Sequence, residues 1–152
     1  MTDHDDDLLA ELKRVVGTAD PVPPSVLEAA RAVLDWRLAD SILAELAYDS
    51  ALDDRPLAGV RHGGGGPRML SFEEAGLTIE VEVHPARETA RLVGQLVPAV
   101  EAVLTVRHHG GEDDVEVDGR GRFRVEGVAS GPLQLVVRLA EGRTVQTASV
   151  VI

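Results

Sequence analysis

The chain has 152 residues, enough for one ordinary domain or a small domain with an appendage, and its apolar fraction of 44% supports a packed core and excludes disorder throughout. It holds no cysteine, which removes disulfide frameworks, thiolate zinc sites and thiol catalysis together. The net charge of −11 lies mostly in the first third: residues 1–57 carry thirteen Asp or Glu against five Lys or Arg, net −8, and the remainder is net −3, a distribution that disfavours nucleic acid and anionic membrane and suits a basic partner.

The start, Met1 to Asp7, is acidic where a signal peptide needs positive charge, and no stretch approaches about 18 continuous apolar residues, so a cytoplasmic protein without membrane contact is expected. Lys13 is the single lysine against fourteen arginines, and asparagine is absent, a bias of GC-rich genomes that says little about binding. A short helix is predicted over Asp7–Val16, its aspartates at the positive end of the macrodipole, with Gly17 as its stop. Asp20-Pro21-Val22-Pro23-Pro24 is non-helical, and Pro24 suits an early helical position. A second helix is predicted over Ser25–Tyr48, rich in Ala, Leu, Glu and Arg with no internal Gly or Pro.

The apolar face of that second helix changes direction along its length. At about 100° per residue from Val26, Leu27, Ala30, Val33, Leu34 and Leu38 share one arc with Val26, whereas after Trp36 the residues Ile42, Leu43 and Leu46 occupy another. The reading is a kink near Asp35–Leu38 or two halves that bury against different things. Trp36, the only tryptophan, marks the changeover, and Trp36, Arg37, Asp40, Leu43, Leu46 and Tyr48 form the candidate partner-binding set. Arg61-His62 and the run Gly63–Gly66 then read as a linker; a phosphate-cradling loop is rejected because the glycines follow a helix and end in Pro67-Arg68.

From Met69 onward the apolar residues alternate at period two. Strands are predicted at Met69–Glu73, Leu77–Val83, Arg91–Val97, Val103–Arg107, Asp114–Val117, Phe123–Val125, Leu133–Leu139 and Val145–Val151, an antiparallel sandwich. Glu80 and Glu82 fall on one outward face and read as solvated surface, not as a catalytic pair. His108 and His109 are adjacent on a strand end and point to opposite faces, so they do not chelate together easily. Glu112-Asp113-Asp114 reads as a hairpin turn in preference to a calcium loop, and Ser71, Ser130 and Ser149 lack a nucleophile's context. No catalytic residue, metal site or cofactor is expected.

Leu92-Val93-Gly94-Gln95-Leu96, the Asp-x-x-Gly-x-Phe of Asp118, Gly121 and Phe123, and the Gly-x-x-x-Gly of Gly127 and Gly131 resemble the carboxypeptidase regulatory-like, or transthyretin-like, β-sandwich over Gly76–Ile152. The whole chain also resembles a group of small proteins of GC-rich bacteria that share Asp20–Pro24, Ala29–Ala32, Trp36-Arg37, Glu45–Ala47 and Tyr48–Ser50; their setting beside alternative sigma factors implies a regulatory role. The fold class expected is therefore α+β: an acidic helical arm of two helices at 1–50, a Gly-rich linker at 51–68 and an antiparallel β-sandwich of about seven to eight strands at 69–152. The function expected is a non-enzymatic regulatory or protein-binding module whose arm engages a basic protein, a sigma factor among the candidates, with oligomeric state undetermined. The rival is a carbohydrate-binding accessory sandwich, disfavoured by an aromatic content of 3%.

Overall fold

The computed structural model describes residues 7, 9–11, 22–36, 40–52 and 66–152. Asp7 and Leu9–Glu11 are helical, and the body of the predicted first helix otherwise lies outside the described residues, as does most of the Gly-rich run. The second helix spans Pro24–Asp35, opened by Pro23, whose carbonyl accepts from Val26 N at 3.0 Å and Leu27 N at 3.3 Å. Pro24 sits at its first position, where its missing N–H costs nothing.

The helix predicted through Tyr48 ends at Asp35, and its second half is a strand, β1 (Ile42–Asp49). The reason is in the exchange of apolar faces at Trp36, which marks a change of period and not a kink. Within β1, Ala44 is buried and Leu46 half-buried, and a bulge between Leu46 and Tyr48 brings Asp49 back to the inside. Ladder partners on both sides override the helix propensity of Ala-Glu-Leu-Ala.

Nine further strands follow among the described residues: β2 (Arg68–Glu74), β3 (Leu77–Pro85), β4 (Thr89–Val97), β5 (Ala102–His108), β6 (Gly111–Val117), β7 (Arg122–Ala129), β8 (Pro132–Leu139), β9 (Thr144–Thr147) and β10 (Val150–Val151). They form one sheet in the order β6-β5-β8-β9-β1-β2-β3-β4-β7, with β10 on β8. The mostly-β architecture is compatible with a sandwich, but the expected antiparallel pair of sheets is replaced by a single mixed sheet of nearly barrel shape. The cause is β1. Ile42–Ala44 pair with Val145–Thr147 of β9 in parallel, and Glu45–Asp49 pair with β2 antiparallel, so one strand joins the two halves. The predicted strand Val145–Val151 divides in two because Thr147 Oγ1, in place of a backbone carbonyl, accepts from Leu135 N at 3.0 Å, and Ala148 N turns away to Ala44 O at 2.9 Å.

The core lies between the halves. Along β3, Leu77, Ile79, Val81 and Val83 point inward as their alternation requires, against Phe72, Leu92, Leu104 and Leu135. The motif residues explain themselves here. Gly94 pairs with Phe123, and a Cβ on Gly94 would sit 2.3 Å from Phe123 Cζ, so the glycine makes room for the buried ring. Asp118 Oδ1 accepts from the backbone N–H of Arg120 and Arg122, both at 2.9 Å, and Gly121, at φ 75°, closes the turn through its own N–H to Asp118 O at 2.7 Å.

Candidate functional site

On β5 and β8 both faces are buried, which a sheet with one wet side does not show. One face is the core. The other carries Thr105 (2% exposed), Gln134 (4%) and Arg107 (8%), with Val136 and Gln146 also buried. The register sets Leu43, Gln146, Val136, Thr105 and Asp114 in one row across β1, β9, β8, β5 and β6, and Arg107 beside Gln134 in the next. Trp36 sits on this face: Arg107 Nη1 donates to its carbonyl at 2.7 Å. Arg107 Nε also lies 2.8 Å from Glu112 Oε1, an ionic contact in which the N–H is not aimed at the oxygen. Thr105 Oγ1 receives Arg138 Nη1 at 2.9 Å and donates to Asp114 Oδ1 at 2.5 Å. Gln134 Nε2 donates to Thr147 O at 3.1 Å, and its Oε1 is buried without a partner.

The helix above divides its own apolar arc. Ala29, Val33 and Trp36, at roughly 280° to 340° from Val26, are half-buried, while Val26, Leu27, Ala30 and Leu34, at roughly 0° to 100°, are exposed. Val26, Leu27 and Leu34 keep 53%, 46% and 65% of their surface in solvent. Three large aliphatic residues along one side of a 12-residue helix form an apolar stripe, with Arg31 exposed at its edge and Glu28 exposed beyond it.

The expected partner-binding residues do not make one surface. Trp36 is half-buried on Arg107, Asp40 is exposed, and Arg37 lies outside the described residues. Leu43 is exposed in the row of Thr105, Leu46 packs against the core, and Tyr48 is exposed opposite Ser71 on the other half of the sheet. Their separation follows from β1 being a strand, whose successive residues face opposite ways.

The histidines and acids are engaged in holding strands together. His108 Nδ1 accepts from Gly110 N at 3.1 Å and Ala129 N at 3.2 Å, which leaves the ring proton on Nε2, facing Asp113 Oδ2 at 2.9 Å. His109 is exposed. Glu112-Asp113-Asp114, expected as a turn, belongs to strand β6; His109-Gly110 make the turn, because each acid has a partner on β5: Arg107, His108 and Thr105. On β3, Glu80 Oε2 receives Gln95 Nε2 at 2.5 Å and Glu82 Oε1 lies 3.1 Å from His84 Nε2. No cluster of three or more His, Asp or Glu able to hold a metal occurs among the described residues.

An ion pair between the buried Asp49 and the partly exposed Arg68 joins β1, β2 and β10. Arg68 Nε donates to Asp49 Oδ1 at 2.8 Å, Nη2 donates to Oδ2 at 2.5 Å, and Nη1 donates to Val151 O at 2.6 Å; Ala51 N adds a bond to Oδ1 at 2.9 Å. The guanidinium bond holds the Asp49 carboxyl below its usual range against the opposing effect of burial, and raises Arg68 in turn. Asp118 is likewise lowered, chiefly by the backbone N–H of Arg122. Since β1 and β2 pair directly, the Gly-rich segment lies in the connection between neighbouring strands.

Sequence reasoning does not single out Arg107 and Gln134. The available signal is the alternation Leu104-Thr105-Val106-Arg107 and Leu133-Gln134-Leu135, which places them outward; only the structure shows that the outward face is covered. No described helix is long and apolar enough to cross a membrane. Comparison of the chain with protein-family models, with curated proteins and with solved structures returns no match.

Proposed function

We propose that the chain is a non-enzymatic protein-binding module of a regulatory kind, with the helix Pro24–Asp35 as its contact element and the sheet as scaffold. The observation that carries the reading is the exposed stripe of Val26, Leu27 and Leu34. It lies in the N-terminal third of the chain, whose net charge over residues 1–57 is −8, and an apolar anchor in a segment of that charge fits a partner with an apolar cleft and a basic rim. These three residues differ from the set expected from the sequence, Trp36, Arg37, Asp40, Leu43, Leu46 and Tyr48, and lie before it in the chain. The motif residues keep the likeness to a carboxypeptidase regulatory-like sandwich as a proposal about fold, and the likeness to proteins encoded beside sigma factors makes the basic DNA-binding face of such a factor the first partner to try. The sugar-binding alternative loses support because Phe72 and Phe123 are both buried, which leaves Tyr48 as the exposed aromatic of the sheet among the described residues, and a sugar platform relies on more than one such ring.

The test is binding of the intact chain to a sigma factor, and to proteins captured from native lysate, compared with a Leu27→Asp/Leu34→Asp variant. Loss of binding in the variant, with association slowed by salt, supports the reading. Equal binding by the variant moves the contact to the sheet.

A further inference from the structure

We propose that the helix Pro24–Asp35 with Trp36 is a releasable cover over the outward face of β5, β8 and β9, held chiefly by the bond from Arg107 to the Trp36 carbonyl. The covered face has the composition of an uncovered one. Thr105, Arg107, Gln134 and Gln146 are side chains that a solvated sheet face carries, yet all four are buried. Contacts that never open are built from apolar residues, whereas those that open keep polar, hydrated groups. On this face Gln134 Oε1 is buried without a partner, a desolvation cost that access to water removes. On the helix side Ala29, Val33 and Trp36 are partly buried, and the hydrogen bond that ties this segment to the face is the one from Arg107 to the Trp36 carbonyl. Removing the helix uncovers Val136, the buried aliphatic of that row, but wets four polar side chains that water serves well. Arg107 and Gln134, side by side in the register, then present a guanidinium and an amide to solvent. The device belongs to the chain alone and holds whether or not the helix also binds a protein.

Trp36 is the only tryptophan, so its emission reports the cover while far-UV circular dichroism reports the sheet. In a urea titration of the intact chain, the fluorescence transition, a red shift as Trp36 meets water, is expected at lower urea than the loss of strand signal, since the cover is the least stable unit. Coincident transitions would mean a single cooperative structure and overturn the proposal. Arg107→Ala is expected to move the fluorescence midpoint to lower urea, raising the open population on the order of 10-fold or more, as loss of a hydrogen bond from a charged donor does, and to leave the sheet's midpoint in place. A variant in which both midpoints move together, or neither moves, overturns it equally.

Discussion

Replacing Gly94 by alanine inserts a methyl where two groups already stand. The added Cβ would lie 2.3 Å from Phe123 Cζ, 2.8 Å from Cε2 and 2.5 Å from the Glu80 carbonyl oxygen. The ring can tilt, but the Glu80 oxygen belongs to β3, which pairs with β4 along its full length and cannot move alone. The cost of Gly94→Ala is therefore placed at about 3 kcal/mol, the upper end for overpacking. Phe123→Ala removes the buried ring and should cost about 3 to 5 kcal/mol. In the double variant the ring clash is gone while the clash with Glu80 O persists, so the two losses should fall short of their sum by about 2 kcal/mol, within the range of coupled neighbours. Urea denaturation followed by circular dichroism measures all three variants against the parent. Strict additivity, or an alanine at position 94 that leaves the midpoint unchanged, would refute the account of why this glycine faces this phenylalanine.

Three other outcomes are expected. A fragment beginning at Arg68 lacks β1, which joins the halves of the sheet, and should show no cooperative melt, whereas one beginning at Pro24 should melt as the full chain does. Asp49→Ala leaves Arg68 without its carboxylate and should cost about 3 kcal/mol by chemical denaturation, the lower end for breaking a buried pair, because Arg68 is partly exposed. The stability from Asp49 is present above its unfolded pKa of about 3.9 and declines as pH falls through the lower folded value; Asp49→Asn should flatten that acid limb of the stability curve in a pH series of melts.

The strands β2, β3, β4 and β7 are legible in the sequence because each buries one face at period two, and the turns at Gly76 and Gly121 are marked by residues that take positive φ; the start of β6 at Gly111, an acidic run read as a turn, is not. Asp118, Gly121 and Phe123 are legible for the same reason, each meeting a local demand of turn or core. The strand Ile42–Asp49 is not. Ala44, Glu45, Leu46 and Ala47 are good helix formers, and their assignment is decided by β9 and β2, which local pattern does not contain. The helix Pro24–Asp35 shares this limit: the spacing of Val26, Leu27 and Leu34 defines an apolar arc, but which part of that arc meets solvent depends on where Ala29, Val33 and Trp36 settle.

The parallel pairing of Ile42 with Val145 also sets a schedule for biosynthesis. The two residues are about 100 positions apart in the chain. At the ribosome's pace of about 5 to 20 residues per second, Ile42–Ala44 stand for some 5 to 20 s without their partners. Over that interval β2, β3 and β4 can already zip by short hairpins, while an aliphatic strand end waits in the open. The segment leading into it, residues 1–41, carries nine Asp or Glu against four Lys or Arg, net −5, and like charge of that kind opposes association of nascent chains while the strand end is unpaired.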